Sequence, residues 1–180
     1  MVVALVATLA LVQLRGMLNA ADPTDSMPAA ISRGQPAPAI AGMTLDGTAF
    51  DLAALRGRPV LVNFWGPSCL PCRDEFPLFK EKLAAHGPDG LAIVGILMYD
   101  AAAPARDFVA QYGAAWPTVE DPTGAIRAAY RVAARPQTYF IDREGILRSI
   151  QVGQLTDAEF ERQFAQISGP QASGGPGASP

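Results

Sequence analysis

The sequence predicts an α/β fold, with a central mixed sheet flanked by helices on both faces and a β-hairpin ahead of it. Three observations carry this. Val60–Trp65 (VLVNFW) and Leu91–Leu97 (LAIVGIL) are near-continuous apolar runs, the composition of strands buried on both faces. Between them, Leu70–Ala85 spaces Phe76, Phe79 and Leu83 for one side of a helix. Further on, Thr138–Ile141 and Ile146–Gln151 flank Arg143-Glu144-Gly145, an antiparallel hairpin. Strands that alternate with helices and end in a hairpin give a layered α/β domain.

Taken in order, Met1–Val12 (MVVALVATLALV) is apolar except for Thr8. It has the length of a secretory h-region and falls short of the ~20 residues of a bilayer span. No Lys or Arg precedes it and Arg15 follows, an atypical flank for an exported segment. Residues 1–20 are read as an apolar signal or membrane anchor. The alternative, an N-terminal core helix, needs a polar face that Met1–Val12 lacks. Residues 21–34 are a Pro/Ser/Asp-bearing linker, and 35–168 form the folded domain. Residues 169–180 (GPQASGGPGASP) are a Gly/Pro/Ser tail with no large apolar side chain, expected to be disordered.

Inside the domain, Asp46-Gly47 makes the turn of the first hairpin. Asp74 and Glu75 come early in the Leu70–Ala85 helix and Lys80 and Lys82 late, the order its dipole favours, and Gly87-Pro88 ends it. Short helices are expected at Ala105–Tyr112 and Ala125–Tyr130. A last one at Thr156–Ile167 is opened by a capping box of Thr156 and Glu159.

Composition excludes several functions. A chain of 180 residues, 49% hydrophobic and 17% charged, is neither disordered nor too small for a core. A net charge of −3 gives no basic footprint for nucleic acid. Two cysteines and one histidine, His86, supply neither a disulfide scaffold nor the usual four-ligand zinc site. No metal and no cofactor are expected.

The chemistry concentrates at Cys69-Leu70-Pro71-Cys72, where strand Val60–Trp65 hands over to a helix. A thiol at a helix N-terminus meets the positive dipole end and unpaired N–H groups, which favour thiolate. Two intervening residues let one helical turn bring both sulfurs within bonding distance. Pro71 falls in the first turn, where no backbone donor is lost. Cys69 is then the exposed nucleophile and Cys72 the resolving thiol. The other readings of the pair are half of a zinc ribbon, two buried core thiols or a static disulfide.

At this point the sequence resembles a known family. Gly34–Pro38 (GQPAP), Leu45-Asp46-Gly47, Leu55–Trp65 (LRGRPVLVNFW) and Cys69–Pro77 (CLPCRDEFP) are similar to the TlpA/ResA/CcmG (DsbE) group of thioredoxin-like thiol–disulfide oxidoreductases. So are Trp116–Gly124 (WPTVEDPTG) and Val132–Gly145 (VAARPQTYFIDREG), and the resemblance covers nearly all of 35–153. It implies a thioredoxin-like fold with a central insertion. It matches Pro136 to a cis-proline that lies against the disulfide and holds an extended substrate strand by its backbone. It matches Glu75 to an acid that handles the proton of Cys72; on the residues alone, a solvated first-turn acid is the alternative. Asn63 stands where thioredoxin has a buried Asp, which leaves Glu75 the candidate proton carrier.

Departures from the pattern also matter. Pro67-Ser68 replace the aromatic that precedes the first cysteine in the family, and Ala134 replaces a Gly. Trp65, Pro67, Ser68 and Arg135 are the candidate substrate-contacting residues. If Arg135 points toward Cys69, its charge favours thiolate and a more oxidising disulfide; if it points outward, it is solvated or meets an acidic partner.

The remaining candidates read as structural. His86 is a C-terminal capping cation, and Trp65 and Trp116 are core or site-lining aromatics. Met98-Tyr99 ends a strand, as core or as the lining of a partner groove. Arg127, Arg131 and Arg135 are spaced for one basic helical face, solvated or leading toward the site.

The expected function is an extracytoplasmic, membrane-associated oxidoreductase that reduces selected protein disulfides, among them apocytochrome c, with electrons from a membrane thiol–disulfide carrier. A general oxidase of secreted proteins is the enzymatic alternative, and a metal chaperone or redox-silent binding module the non-enzymatic one. A peroxiredoxin is set aside, because Gly66 stands where it needs a Thr or Ser three residues before the reactive cysteine.

Overall fold

The computed structural model describes residues 31–169. The proposed 1–20 anchor, most of the linker and the tail beyond Gly169 lie outside them. Among the described residues no helix is long and apolar enough to cross a membrane.

A two-stranded hairpin, β1 (Ala41–Met43) and β2 (Ala49–Asp51), turns through Thr44–Thr48 as the Asp-Gly pair predicts. Gly47 takes φ +82°, open to glycine at no steric cost. A 3₁₀ turn, Leu52–Leu55, leads to β3 (Val60–Trp65), α1 (Leu70–His86) and β4 (Ala92–Leu97). Then come α2 (Ala102–Tyr112), β5 (Thr118–Glu120), α3 (Ala125–Ala129), β6 (Gln137–Ile141), β7 (Leu147–Val152) and α4 (Asp157–Ser168).

The five-stranded sheet runs β5-β4-β3-β6-β7. β3 is central, parallel to β4 and antiparallel to β6, so the sheet is mixed as expected. All six residues of β3 and all six of β4 are buried, which is why neither shows polar alternation. Leu61 and Trp65 face a core shared with α1, α2 and α4, through Phe76, Phe79, Phe108, Phe160 and Phe164. Val60, Val62 and Phe64 face the second core, closed by Ile40, Val132, Tyr130 and the partly buried Ile126. Helices therefore cover both faces.

Some elements differ from expectation. β5 was not foreseen: three residues between Pro117 and Pro122 are too few to show a period. α2 starts at Ala102 rather than Ala105, because Pro104 falls in its first turn, where a missing N–H costs nothing. α3 stops at Ala129, and Arg131 has φ +51°, so Arg127, Arg131 and Arg135 do not share a helical face.

α4 docks on α1 through a buried cation. Lys82, 5% exposed, sits 2.6 Å from Glu161 and against Asp157, with its ammonium 5.4 Å above the Phe160 ring. Burial opposes charging this lysine, but hydrogen bonds and charge from Asp157 and Glu161 outweigh it and hold its ammonium above the ordinary lysine range. His86 ends α1 as expected, and its ring also packs, tilted, 4.5 Å from the Phe164 ring with Nε2 3.4 Å from Glu161. The predicted Thr156–Glu159 capping box opens α4.

One glycine marks how closely the core is packed. A Cβ on Gly95 of β4 would come 2.6 Å from Trp65 Nε1 and 2.7 Å from Thr118 Oγ1. We predict that Gly95→Ala destabilises the fold by roughly 1–3 kcal/mol, as overpacking does. Urea unfolding followed by Trp65 fluorescence measures it, and an unchanged midpoint would refute the packing argument.

Candidate active site

β3 ends at Trp65, and the loop 66–69 carries the chain into α1. Cys69 is the N-cap of that helix, with its Sγ accepting a hydrogen bond from the Cys72 N–H at 3.3 Å. Leu70 and Pro71 fill the first helical positions. The Sγ atoms of Cys69 and Cys72 are bonded at 2.03 Å, with their Cα atoms 5.3 Å apart. Both cysteines are buried, Cys72 at 0% and Cys69 at 7% exposure, and Leu70 after Cys69 is 70% exposed. Of the two, Cys69 is the nearer to solvent, the order a redox pair with Cys69 as attacking thiol calls for.

Behind the pair lies Glu75, one helical turn past Cys72 on α1. It is 1% exposed, so the solvated first-turn acid does not describe it. Its Oε1 accepts the Leu155 N–H at 2.7 Å and its Oε2 lies 3.3 Å from Asn63 Nδ2, which also donates to Thr138 Oγ1 at 2.9 Å. Burial pushes the carboxyl up to about 8, against the smaller opposing effect of those two hydrogen bonds. That places it close to the ordinary thiol range near 8.5.

The Arg135–Pro136 peptide is cis. β6 starts one residue later, at Gln137, which pairs with Phe64 near the end of β3, so Pro136 stands beside the exit of the Cys69 loop. Its carbonyl accepts the Gly153 N–H at 2.9 Å.

The four candidate contact residues separate. Trp65 is a correction: it is 0% exposed, its ring 4.7 Å from Phe76 and 5.2 Å from Phe108, so it is core and presents nothing to a substrate. An aromatic at the end of an apolar run is drawn into the core unless its neighbours leave it open. Pro67 is buried as well, and its carbonyl accepts both Nε and Nη2 of Arg73, at 3.1 and 3.0 Å. Ser68 is exposed.

Arg135 takes neither expected orientation as a free charge. Its Nη1 lies 2.5 Å from Asp100 Oδ2 and also donates to Met98 O, while its Nη2 donates to Ser68 Oγ at 2.7 Å. Asp100, which sequence reasoning missed, therefore belongs to the site. Met98 and Tyr99 part company at the strand end: Met98 is core, while Tyr99 is 68% exposed. The Tyr99 ring lies 5.0 Å from the Arg127 guanidinium and 5.8 Å from that of Arg135.

The buried carboxyl makes a pH prediction. Between pH 4.5 and about 8 the folded protein holds a proton on Glu75 that the unfolded chain has released. Stability therefore falls as pH rises through that window, with a slope approaching ~1.4 kcal/mol per pH unit, and levels off above it. We expect Glu75→Gln to lose this slope and to gain on the parent between pH 5 and pH 8 in urea unfolding of the oxidised protein. Parallel profiles would show that Glu75 is not protonated in the fold.

Comparison with known proteins agrees with this geometry. The AhpC/TSA family model matches residues 33–150. The thioredoxin-like protein YneN of Bacillus subtilis is 36% identical over 137 residues, 74% of this chain and 79% of the relative. The thiol-disulfide oxidoreductase ResA of Geobacillus kaustophilus is 30% identical over 138 residues, 77% of this chain and 79% of the relative. A solved thiol:disulfide interchange protein of the thioredoxin family from Chlorobium tepidum superposes with a TM-score of 0.70 at 27% identity, covering 78% of this chain and all of its own. With its Cys69–Cys72 disulfide at the start of α1, the chain belongs to the AhpC/TSA family as a thioredoxin-like thiol–disulfide oxidoreductase of the ResA type.

Proposed function

We propose that the protein is a dedicated reductant of selected protein disulfides, apocytochrome c among them, held at the extracytoplasmic face of the membrane by residues 1–20. One observation carries the dithiol-exchange chemistry: the buried Glu75, one turn from Cys72, whose carboxyl is pushed up to about 8. Matched to a thiol, it takes and returns a proton with little driving force lost either way.

The Cys69 thiolate attacks one sulfur of the substrate disulfide, forming a mixed disulfide and releasing the other substrate sulfur as a thiol. Pro136 and its loop hold the substrate strand alongside during this step. Glu75, in the fraction that is ionised, then takes the proton of Cys72, whose thiolate attacks Cys69 Sγ. The second substrate sulfur leaves, and the Cys69–Cys72 disulfide remains. Two electrons have passed to the substrate, and a membrane dithiol carrier restores them.

The oxidase reading rested on an uncompensated Arg135 beside Cys69, and Asp100 now compensates it. The metal-chaperone reading needs a histidine near the thiols. His86 stands at the far end of α1, a 17-residue helix, roughly 20 Å away at ~1.5 Å per residue.

The deciding measurement is the reduction potential in a thiol buffer. We expect about −250 mV or lower, near thioredoxin at roughly −270 mV; a value near about −120 mV would make the protein an oxidase. Cys72→Ser should accumulate a mixed disulfide with a substrate protein through Cys69, and Cys69→Ser should not. Trapping through Cys72 instead would invert the assigned roles.

A further inference from the structure

Three loops meet at the exit of β3: Gly66–Cys69, Met98–Asp100 after β4, and Arg135-Pro136 before β6. They are tied by one polar knot. Asp100 Oδ2 accepts from Arg135 Nη1 at 2.5 Å and from Ser68 Oγ at 3.1 Å, while Ser68 Oγ accepts from Arg135 Nη2 at 2.7 Å. The serine hydroxyl thus donates once and accepts once, within its capacity. Arg135 also donates to the Met98 carbonyl. Gly66 lets the knot close, since a Cβ there would run into both Asp100 Oδ2 and Arg135 Nη1. The ion pair is largely enclosed, with side chains 18% and 16% exposed, so water screens it less than a surface pair.

We infer that Asp100 is a positioning residue that sets the redox balance of the Cys69–Cys72 pair, by holding Arg135 as a neutral ion pair and keeping its positive charge from acting on the Cys69 sulfur. This rests on the redox reading above. The knot is hydrogen-bonded to Ser68, the residue before Cys69, so either charge left alone lies on the loop that carries the sulfur. A lone guanidinium favours thiolate, hence the reduced pair, and makes the disulfide more oxidising. A lone carboxylate does the reverse. The other charged side chains of this region, Arg127 against the Tyr99 ring, Arg73 on the Pro67 carbonyl, Asp74, and Glu75 behind Cys72, are common to the parent and the knot variants.

The two single charge deletions therefore have opposite signs, which a merely loosened loop does not produce. The full-length protein is equilibrated with glutathione at pH 7, where the dithiol and one glutathione disulfide give the protein disulfide and two glutathiones. Asp100→Asn keeps an oxygen acceptor but loses the charge. It should lower the equilibrium constant for disulfide formation about tenfold, or ~30 mV more oxidising. Arg135→Gln should raise it by a similar factor, and the double variant should return to within about threefold of the parent. Shifts of the same sign, or less than twofold with Asp100→Asn, would overturn the inference. Should Asp100→Asn lose cooperative unfolding, Arg135→Gln decides alone: a shift toward reducing sustains the inference, and none ends it. A parent without a reversible two-electron transition would end the redox reading and this inference together. A parent that has one, beside an unresponsive Asp100→Asn, ends only this inference.

Discussion

The register of β3 between β4 and β6 is the constraint on which the site depends. Trp65 pairs with Leu97 on one side and Phe64 with Gln137 on the other. Three chain segments therefore leave the sheet at one edge: the cysteine loop, the Met98–Asp100 loop and the cis-proline loop. Every residue of β3 is buried, and a slip of one residue would carry Val62 and Phe64 into the core of Leu61 and Trp65. The apolar pattern of one strand thus fixes the placement of a nucleophile, an ion pair and a proline that are distant in sequence.

The same strand explains why a carboxyl is buried beside the disulfide. Asn63 is the one polar residue of β3, on the side facing α1, and it meets Glu75 and Thr138. Asn63 and the Leu155 N–H give the carboxyl hydrogen bonds without an opposite charge. A full counter-charge would have held Glu75 ionised; hydrogen bonds alone leave burial in control. The contrast with Lys82 on the same helix is instructive. It is buried too, but two carboxylates contact it, so it stays charged and serves to dock α4.

Much of this was legible in the chain. The handover from Val60–Trp65 to the cysteine helix, both hairpin turns and the Thr156–Glu159 box follow from local rules, and local rules are what one sequence displays. The exposure of single side chains is not local. Trp65 was counted among the substrate contacts and is core, because Phe76 and Phe108 close over it from two different helices. The apparent basic face of Arg127, Arg131 and Arg135 needed a helix that ends at Ala129. Asp100 gave no signal at all, as its partner lies thirty-five residues away and only the sheet brings them together.

The orientation of Arg135 could not be read from sequence for the same reason, and the answer bears on chemistry. A cation beside a reactive cysteine is often counted as an activator on position alone. Here its guanidinium is spent on Asp100, Ser68 and the Met98 carbonyl, three hydrogen-bonding partners of which one carries the opposite charge. What acts on the sulfur is then the sum of the knot, close to neutral, together with the N-terminal end of α1, of which Cys69 is the cap. A helix end favours thiolate modestly, whereas an added full charge would favour it more. On the reductive reading proposed above, a knot without net charge leaves the thiolate without a neighbouring cation to favour it, the balance suited to a pair that gives up its electrons.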